Sequence, residues 1–182
     1  MKQMIAALLI LLTFSSMSRT QNVPGDTLMV GDQAPDFVLP YATRDSVASE
    51  DLTLSTLFGK SIIILAFYPA DWSGGCTREV CTFRDNFATL SELHAEILGI
   101  SGDYEYSHHE WAKHLDLPFK LVSDHAHTAA KMYFSYNAQH LSNKRTVYLI
   151  DRKGKIAYID LKYSSRDITS FEKLKSALTL LK

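Results

Sequence analysis

Runs of apolar residues along the chain alternate with segments of helical periodicity. Residues 62–67 and 96–101 show almost no polar alternation, which is typical of strands buried on both faces of a sheet. A shorter strand is predicted at residues 36–39, and two more at residues 146–150 and 155–159, while residues 120–122 lead into a helix. The last two strands are joined by a four-residue turn that ends in Gly154, so they are predicted to form a hairpin.

Helices are predicted where apolar residues recur at steps of three and four. Val80, Phe83, Phe87 and Leu90 form one such stripe. Further helices are predicted at residues 104–115, 126–134 and 168–181, a helical turn at 54–59 and a loop at 137–144. Two capping boxes are predicted, at Ser107/Glu110 and at Thr169/Glu172. Strands that alternate with helices and end in a hairpin predict an α/β fold with a central mixed sheet flanked by helices.

The N-terminal segment differs from the rest of the chain. Residues 1–18 combine a lysine, an apolar run that ends at Phe14 and small polar residues, which is the pattern of a secretory signal peptide. The apolar run is shorter than the roughly 20 residues of a membrane-spanning helix, so no stable membrane anchor is expected. Residues 19–29 are predicted to be a flexible leader and residues 30–182 the folded domain. The protein is therefore predicted to be exported to the periplasm or secreted.

Composition and charge argue against several classes of partner and ligand. The net charge is −1 and no basic run occurs, which argues against nucleic acid or an anionic membrane as the main partner. Among the seven histidines are the pairs His108/His109 and His125/His127. These pairs lie in polar stretches without a nearby cysteine, so we expect solvated side chains and no bound metal.

Cys76 is the first of two cysteines and lies where the strand at residues 62–67 turns into the following helix. The first turn of a helix offers unpaired N–H groups and a partial positive charge, which favour a thiolate over a thiol. Ser73 can cap this helix or place its hydroxyl beside the sulfur, and Gly75 lets the backbone approach a ligand closely. The sequence therefore predicts a reactive cysteine at this turn.

Cys81 lies five residues after Cys76. In an intact helix the two α-carbons are at least about 7.5 Å apart and the side chains are turned by about 140°. A disulfide requires α-carbons within about 6.8 Å, so the pair cannot bridge while the helix is wound. This geometry opposes a structural disulfide, which would otherwise be a common feature of a secreted protein. Cys81 also lies away from the apolar stripe, so we expect a partner to reach it.

The stretch around both cysteines resembles the active site of a peroxiredoxin. Pro69, Ser73 and Cys76 form a P-x3-S-x2-C arrangement, and the five-residue spacing to Cys81 resembles the Q-type subfamily, also called bacterioferritin comigratory proteins. The similarity extends to residues 31–37, 99–101, 117–119, 123–124 and 145–151. It implies a thioredoxin-like fold for the domain.

The resemblance also implies a reaction. Cys76 would be the peroxidatic cysteine, which attacks a hydroperoxide and becomes a sulfenic acid, and Cys81 would be the resolving cysteine, which condenses with it to an intramolecular disulfide. The substrates would be hydrogen peroxide and organic hydroperoxides. A thioredoxin-like or other dithiol reductant would reset the disulfide, no cofactor would be needed, and a monomer is the subfamily's usual form.

Further roles follow from the same resemblance. The donors to the peroxide would be the Ser73 hydroxyl, the backbone N–H groups of Gly75 and Cys76, and the Arg145 guanidinium. Arg145 would also stabilise the Cys76 thiolate, and Pro69 would shield the sulfur from solvent.

Two positions depart from the family pattern. Ser73 stands where threonine is more frequent, and Gly74 where many members have proline. Serine keeps the hydroxyl but lacks the methyl group that fixes its rotamer, so we expect a working but less rigid site. Glu79 matches a glutamate of the family and has two open interpretations, because it could orient an arginine or simply favour the helix dipole.

Two other classes of protein compete with the peroxidase. A secreted thiol–disulfide carrier of thioredoxin type would have a C-x2-C pair, which this chain lacks. A non-catalytic thioredoxin-like binding module would tolerate replacement of Ser73 and Arg145.

Overall fold

Six strands form the central sheet of this computed structural model, which describes residues 27–181. The described residues contain ten strands, of which four lie in two small two-stranded sheets. In chain order the ten are β1 (Val38–Leu39), β2 (Tyr41–Ala42), β3 (Leu52–Thr53), β4 (Ile62–Phe67), β5 (Ala95–Ser101), β6 (Lys120–Ser123), β7 (Tyr136–Asn137), β8 (Ser142–Asn143), β9 (Thr146–Ile150) and β10 (Ile156–Asp160). The sheet has the order β10-β9-β4-β5-β6-β2. Its strands β4, β5 and β6 are parallel, and β9, β10 and β2 are antiparallel to the strands they pair with. The predicted mixed sheet is confirmed.

Helices cover both faces of this sheet. They are α1 (Gly74–Asp85), α2 (Phe87–Glu92), α3 (Glu105–Leu115), α4 (Thr128–Met132) and α5 (Ile168–Thr179), and Leu54–Leu57 forms a 3-10 turn. Of these helices, none has the length and apolar character needed to cross a membrane. The prediction of an α/β domain with flanking helices is therefore confirmed.

The strand β4 is buried along its whole length and separates two hydrophobic cores. Ile62, Ile64 and Ala66 pack with residues of α1, α3 and α5. Ile63 and Leu65 face the opposite core, which includes residues of α4. This two-sided burial explains why the sequence of β4 has no polar alternation.

The chain joins the domain earlier than the sequence indicates. Leu28 belongs to the predicted leader, yet it packs in the same core as Phe37 and Ile156. The predicted signal peptide and the rest of the leader, up to residue 26, lie outside the described residues.

Several local predictions were wrong. The apolar stripe from Val80 to Leu90 does not form one helix, because α1 ends at Asp85 and α2 begins at Phe87. The predicted loop at residues 137–144 contains most of a small hairpin made of β7 and β8. Neither the break between α1 and α2 nor the hairpin of β7 and β8 could be predicted from the apolar pattern, because short polar segments show no periodicity.

Both predicted capping boxes were also wrong. Ser107 lies inside α3, whose N-cap is Tyr104, and its hydroxyl donates to the Asp71 carboxylate at 2.8 Å. The N-cap of α5 is Asp167, which accepts from the backbone N–H of Thr169 at 3.0 Å. In each case the hydrogen-bond acceptor is a carboxylate, that of Asp71 for the Ser107 hydroxyl and that of Asp167 for the first turn of α5.

A buried polar network anchors the loop between β4 and α1. The carboxylate of Asp71 accepts from the Tyr68 hydroxyl at 2.9 Å and lies 2.9 Å from Nδ1 of His108. Nε2 of His108 lies 3.2 Å from the carbonyl oxygen of Val122. His108 is fully buried, which corrects the prediction that it is solvated.

The same network holds a residue with a strained backbone shortly before α1. Trp72 has a φ of 59°, which is unfavourable for a bulky side chain. Its indole N–H donates to the Ser107 hydroxyl at 3.2 Å, and the preceding Asp71 N–H donates to Asp103 at 2.8 Å. These bonds fix the loop immediately before Ser73, and with it the start of α1.

Replacing His108 by leucine is expected to lower the free energy of unfolding by about 1–3 kcal/mol, because the buried Asp71 carboxylate loses a hydrogen-bond partner. Urea denaturation of the reduced protein measures the effect. His140→Leu is the matched control, since His140 is exposed. An equal loss in both variants would show that the buried pair does not anchor the loop.

Candidate active site

Cys76 lies in the first turn of α1, beyond the carboxyl end of β4. Its side chain is 1% exposed. Arg145 directly precedes β9, and the pairing of Thr146 with Phe67 brings it to the same end of the sheet. The antiparallel register between β4 and β9 therefore brings together two residues that are far apart in the sequence.

Arg145 contacts both the sulfur and a carboxylate. Its Nη2 group donates to Sγ of Cys76 at 3.3 Å, and its Nη1 group donates to Oε2 of Glu79. Cys76 and Glu79 are three residues apart, so they share one face of the helix. The three side chains form a row in which the guanidinium is held between two acceptors.

Burial changes the pKa values of the two charged groups in this row. Burial raises the pKa of Glu79 to about 7, although the positive charge of Arg145 acts in the opposite direction. Burial lowers the pKa of Arg145, but Glu79 and Cys76 outweigh it, and the pKa is raised overall. Oε1 of Glu79 is buried and has no hydrogen-bond partner among the described residues. The guanidinium therefore stays charged beside the sulfur.

The backbone of the first turn of α1 faces the site with free donors. Ser73 is the N-cap, but its side chain makes no capping bond, and its hydroxyl donates to the carbonyl oxygen of Ala70 at 3.1 Å. The N–H groups of Gly75 and Cys76 have no acceptor within residues 27–181. A Cβ added to Gly75 would lie 3.2 Å from Nη2 of Arg145, so this position leaves little room for a side chain.

Ser73 and Pro69 lie in the segment that leads from β4 into α1, and within residues 27–181 neither makes a hydrogen bond to the sulfur. Ser73 is exposed, and its hydroxyl must rotate away from Ala70 to reach a ligand. Pro69 is partly buried in the loop that follows β4. Arg145, Gly75 and Glu79 are thus gathered around Cys76, and Ser73 lies at the edge of this group.

Cys81 is partly buried, and both cysteines are free. They lie in one uninterrupted helix, so their α-carbons are about 7.5 Å apart. A disulfide between them requires α1 to unwind locally.

Two groups of residues near the site were missed by the sequence analysis. Tyr163 stacks on Phe83 of α1 at 6.1 Å between ring centroids, and Ser165 lies 4.0 Å from a Cβ added to Gly75. Both belong to the loop before α5, where no motif marks them. Asp71 and His108 were missed because their pairing joins separate segments of the chain.

This arrangement suits the attack of a sulfur on an electrophilic oxygen. The donors of Arg145, Gly75 and Cys76 converge beside the nucleophile and can stabilise charge on a departing oxygen. The described residues contain no group of three or more histidine, cysteine, aspartate or glutamate side chains arranged to hold a metal ion.

Comparison with known proteins shows the family to which the chain belongs. The profile described as the AhpC/TSA family matches residues 30–159. The putative peroxiredoxin bcp of Coxiella burnetii is 36% identical over 139 residues, which cover 73% of this chain and 88% of that protein. Peroxiredoxin Bcp of Bacillus subtilis is 34% identical over 136 residues, which cover 71% and 83%. The chloroplastic peroxiredoxin Q of Triticum aestivum is 35% identical over 133 residues, which cover 72% and 61%.

Solved structures agree with these relatives. Peroxidoxin BcpB from Mycobacterium tuberculosis has a TM-score of 0.73 at 27% identity, covering 84% of this chain and 97% of that chain. The reduced 2-Cys peroxiredoxin of Plasmodium vivax has a TM-score of 0.73 at 25% identity, covering 83% and 96%. The chain therefore belongs to the AhpC/TSA family and is a Q-type peroxiredoxin, a thiol peroxidase with a thioredoxin-like fold.

Proposed function

We propose that this peroxiredoxin reduces hydrogen peroxide and organic hydroperoxides through Cys76 and resolves the product with Cys81. The observation that supports the proposal is the bond from Nη2 of Arg145 to Sγ of Cys76 at 3.3 Å, beside two free backbone donors. A guanidinium in this position favours the thiolate and remains available to the oxygen atoms of a bound peroxide.

The first step is an attack of the Cys76 thiolate on the terminal oxygen of the hydroperoxide. The new S–O bond gives a sulfenic acid, the O–O bond breaks, and the departing oxygen takes up a proton and leaves as water or an alcohol. Arg145 and the N–H groups of Gly75 and Cys76 would stabilise the charge on that oxygen. The Ser73 hydroxyl would join them after it turns from Ala70, and Pro69 would shield the sulfur.

The second step forms a disulfide between Cys81 and Cys76. The Cys81 thiol attacks the sulfur of the Cys76 sulfenic acid, the S–S bond forms and water leaves. A thioredoxin-like or other dithiol reductant would then reduce the disulfide, becoming oxidised itself and returning both thiols. Because both cysteines lie on one helix, a single chain can complete the cycle, which supports the proposal of a functional monomer.

Export is a separate part of the proposal and rests on the composition of residues 1–18. An oxidising compartment contains little free thioredoxin, so the reductant would be a dedicated exported dithiol protein. The mass of the mature N-terminus in periplasmic or secreted material tests this part independently of the chemistry.

Intact mass after one equivalent of hydrogen peroxide tests the assignment of both cysteines. The parent protein is expected to lose two hydrogens as the disulfide forms. Cys81→Ser is expected to gain one oxygen at Cys76, because the sulfenic acid has no resolving thiol. A parent protein that gains oxygen without losing hydrogens would contradict the role of Cys81, and a Cys76 that reacts no faster than a free thiol would contradict the peroxidase.

Arg145→Ala is expected to slow oxidation of Cys76 by hydrogen peroxide about 100-fold or more, because the thiolate and the departing oxygen lose a donor. Stopped-flow tryptophan fluorescence measures the rate against pH. Arg152→Ala, at the other end of β9, is the control. A rate that is unaltered at every pH would exclude Arg145 from the site.

Glu79 gives the free energy of unfolding a defined pH dependence. Its pKa is raised from 4.5 to about 7 in the folded protein, so the folded state binds more protons than the unfolded state between these values. The stability contributed by the protonated group is complete below the lower value and is lost as the pH rises through the upper one. The loss is on the order of 3 kcal/mol.

Urea denaturation at about pH 5 and about pH 8 measures this dependence, which Glu79→Gln is expected to remove. Glu92→Gln is the control, since Glu92 is exposed on α2. The same pH dependence in wild type and Glu79→Gln would contradict the assignment.

A further inference from the structure

A small pocket lies against α1 next to the active site. It has a volume of about 230 Å³ and is formed by one face of α1 and the loop that leads into α5. Two arginines line it, Arg78 from the helix and Arg166 from the loop. Both are exposed, and neither has an ion-pair or hydrogen-bond partner for its guanidinium within the described residues.

The pocket has an excess of positive charge. The carboxylate in its wall is that of Asp167, which is already used as the N-cap of α5. By contrast, two of the three lysine and arginine side chains that line a cavity of about 700 Å³ at the opposite end of the sheet are paired with carboxylates, and Lys60 is the third. There Arg44 is bonded to Asp116 at 2.7 Å and Lys120 to Glu96 at 2.5 Å. The small pocket is thus better suited to an anion than the larger one.

The pocket adjoins the peroxide site through Ser165 and Arg145. Ser165 lines the pocket and lies 4.0 Å from the position of a Cβ on Gly75, while Nη2 of Arg145 lies 3.2 Å from the same point. The same Nη2 group lies 3.3 Å from Sγ of Cys76. The wall of the pocket is thus separated from the sulfur by the Arg145 guanidinium, and a ligand with its hydroperoxide at Cys76 would reach the pocket alongside that group.

The remaining wall is partly apolar. Phe171 is buried and Ile168 is 63% exposed, while Thr82, Ser164 and Ser165 add hydroxyl groups. The volume accommodates a carboxylate with a ring or a short chain, and it is too small for a complete long-chain lipid. The two arginines and the apolar part of the wall together favour an organic molecule with an anionic end.

We propose that this pocket binds the carboxylate of anionic organic hydroperoxides, with Arg78 and Arg166 as its ligands, while their hydroperoxide group lies at Cys76. This inference rests on the proposed peroxidase function and adds a substrate preference to it. The carboxylate remains chemically unchanged, and the thiolate attacks the terminal oxygen as it does with hydrogen peroxide.

The test compares three oxidants: 4-(2-hydroperoxypropan-2-yl)benzoic acid, its methyl ester and hydrogen peroxide. Second-order rate constants for Cys76 oxidation are measured for wild type, Arg78→Gln, Arg166→Gln and the double variant. Each single substitution is expected to lower the acid-to-ester rate ratio about fivefold, as for one exposed ion pair. The acid preference is also expected to shrink as salt is added. Lys153→Gln, which removes one charge at the far end of the sheet, is expected to keep the wild-type ratio.

Three outcomes would overturn the inference. One is an acid-to-ester ratio near one in wild type, and another is a ratio that the double variant leaves unchanged. The third is an equal loss of rate for acid, ester and hydrogen peroxide, because the arginines would then act on Cys76 itself. Absence of reaction with hydrogen peroxide in wild type would instead refute the proposed function, and the inference with it, since that oxidant has no carboxylate.

Discussion

The ion pair between Glu79 and Arg145 determines where positive charge is placed in the active site. Glu79 is fully buried, and burying a carboxylate is costly unless a cation lies against it. Arg145 offsets part of this cost, and the same guanidinium reaches the sulfur of Cys76. Since α1 presents both Cys76 and Glu79 on one face, the arginine cannot satisfy the carboxylate without also facing the thiol. A structural need and a catalytic need are thus met by one contact.

Buried contacts hold α1 in place, although part of the helix must unwind when the disulfide forms. The loop before the helix is fixed by the bonds of Asp71 and Trp72 to α3, and Val80 and Phe83 fix the middle of the helix in the core. Disulfide formation nevertheless requires the turns between Cys76 and Cys81 to open. The bonds of Asp71 and Trp72 before this segment and the packing of Phe83 after it confine the opening, so that the fold can survive each cycle of oxidation.

The sequence predicted those features that arise from local patterns. The two-sided burial of β4, the hairpin that ends at Gly154 and the turn that holds Cys76 each follow from spacing within a few residues. The burial of His108 could not be predicted in this way, because it depends on an aspartate 37 residues away. The false capping box at Ser107 has a similar cause, since its hydroxyl donates to Asp71 across the fold. Resemblance to a family supplied the role of Arg145, whose position depends on the register of β4 and β9.

A double-mutant cycle tests most directly whether Glu79 acts on the sulfur through Arg145. The rate constant for oxidation of Cys76 by hydrogen peroxide would be measured for wild type, Glu79→Gln, Arg145→Gln and the double variant. If Glu79 holds Arg145 against the sulfur, its loss matters little once the arginine is gone, and the double variant reacts about as fast as Arg145→Gln. If the two effects multiply instead, the carboxylate and the guanidinium act independently, and the ion pair does not position the charge beside Cys76.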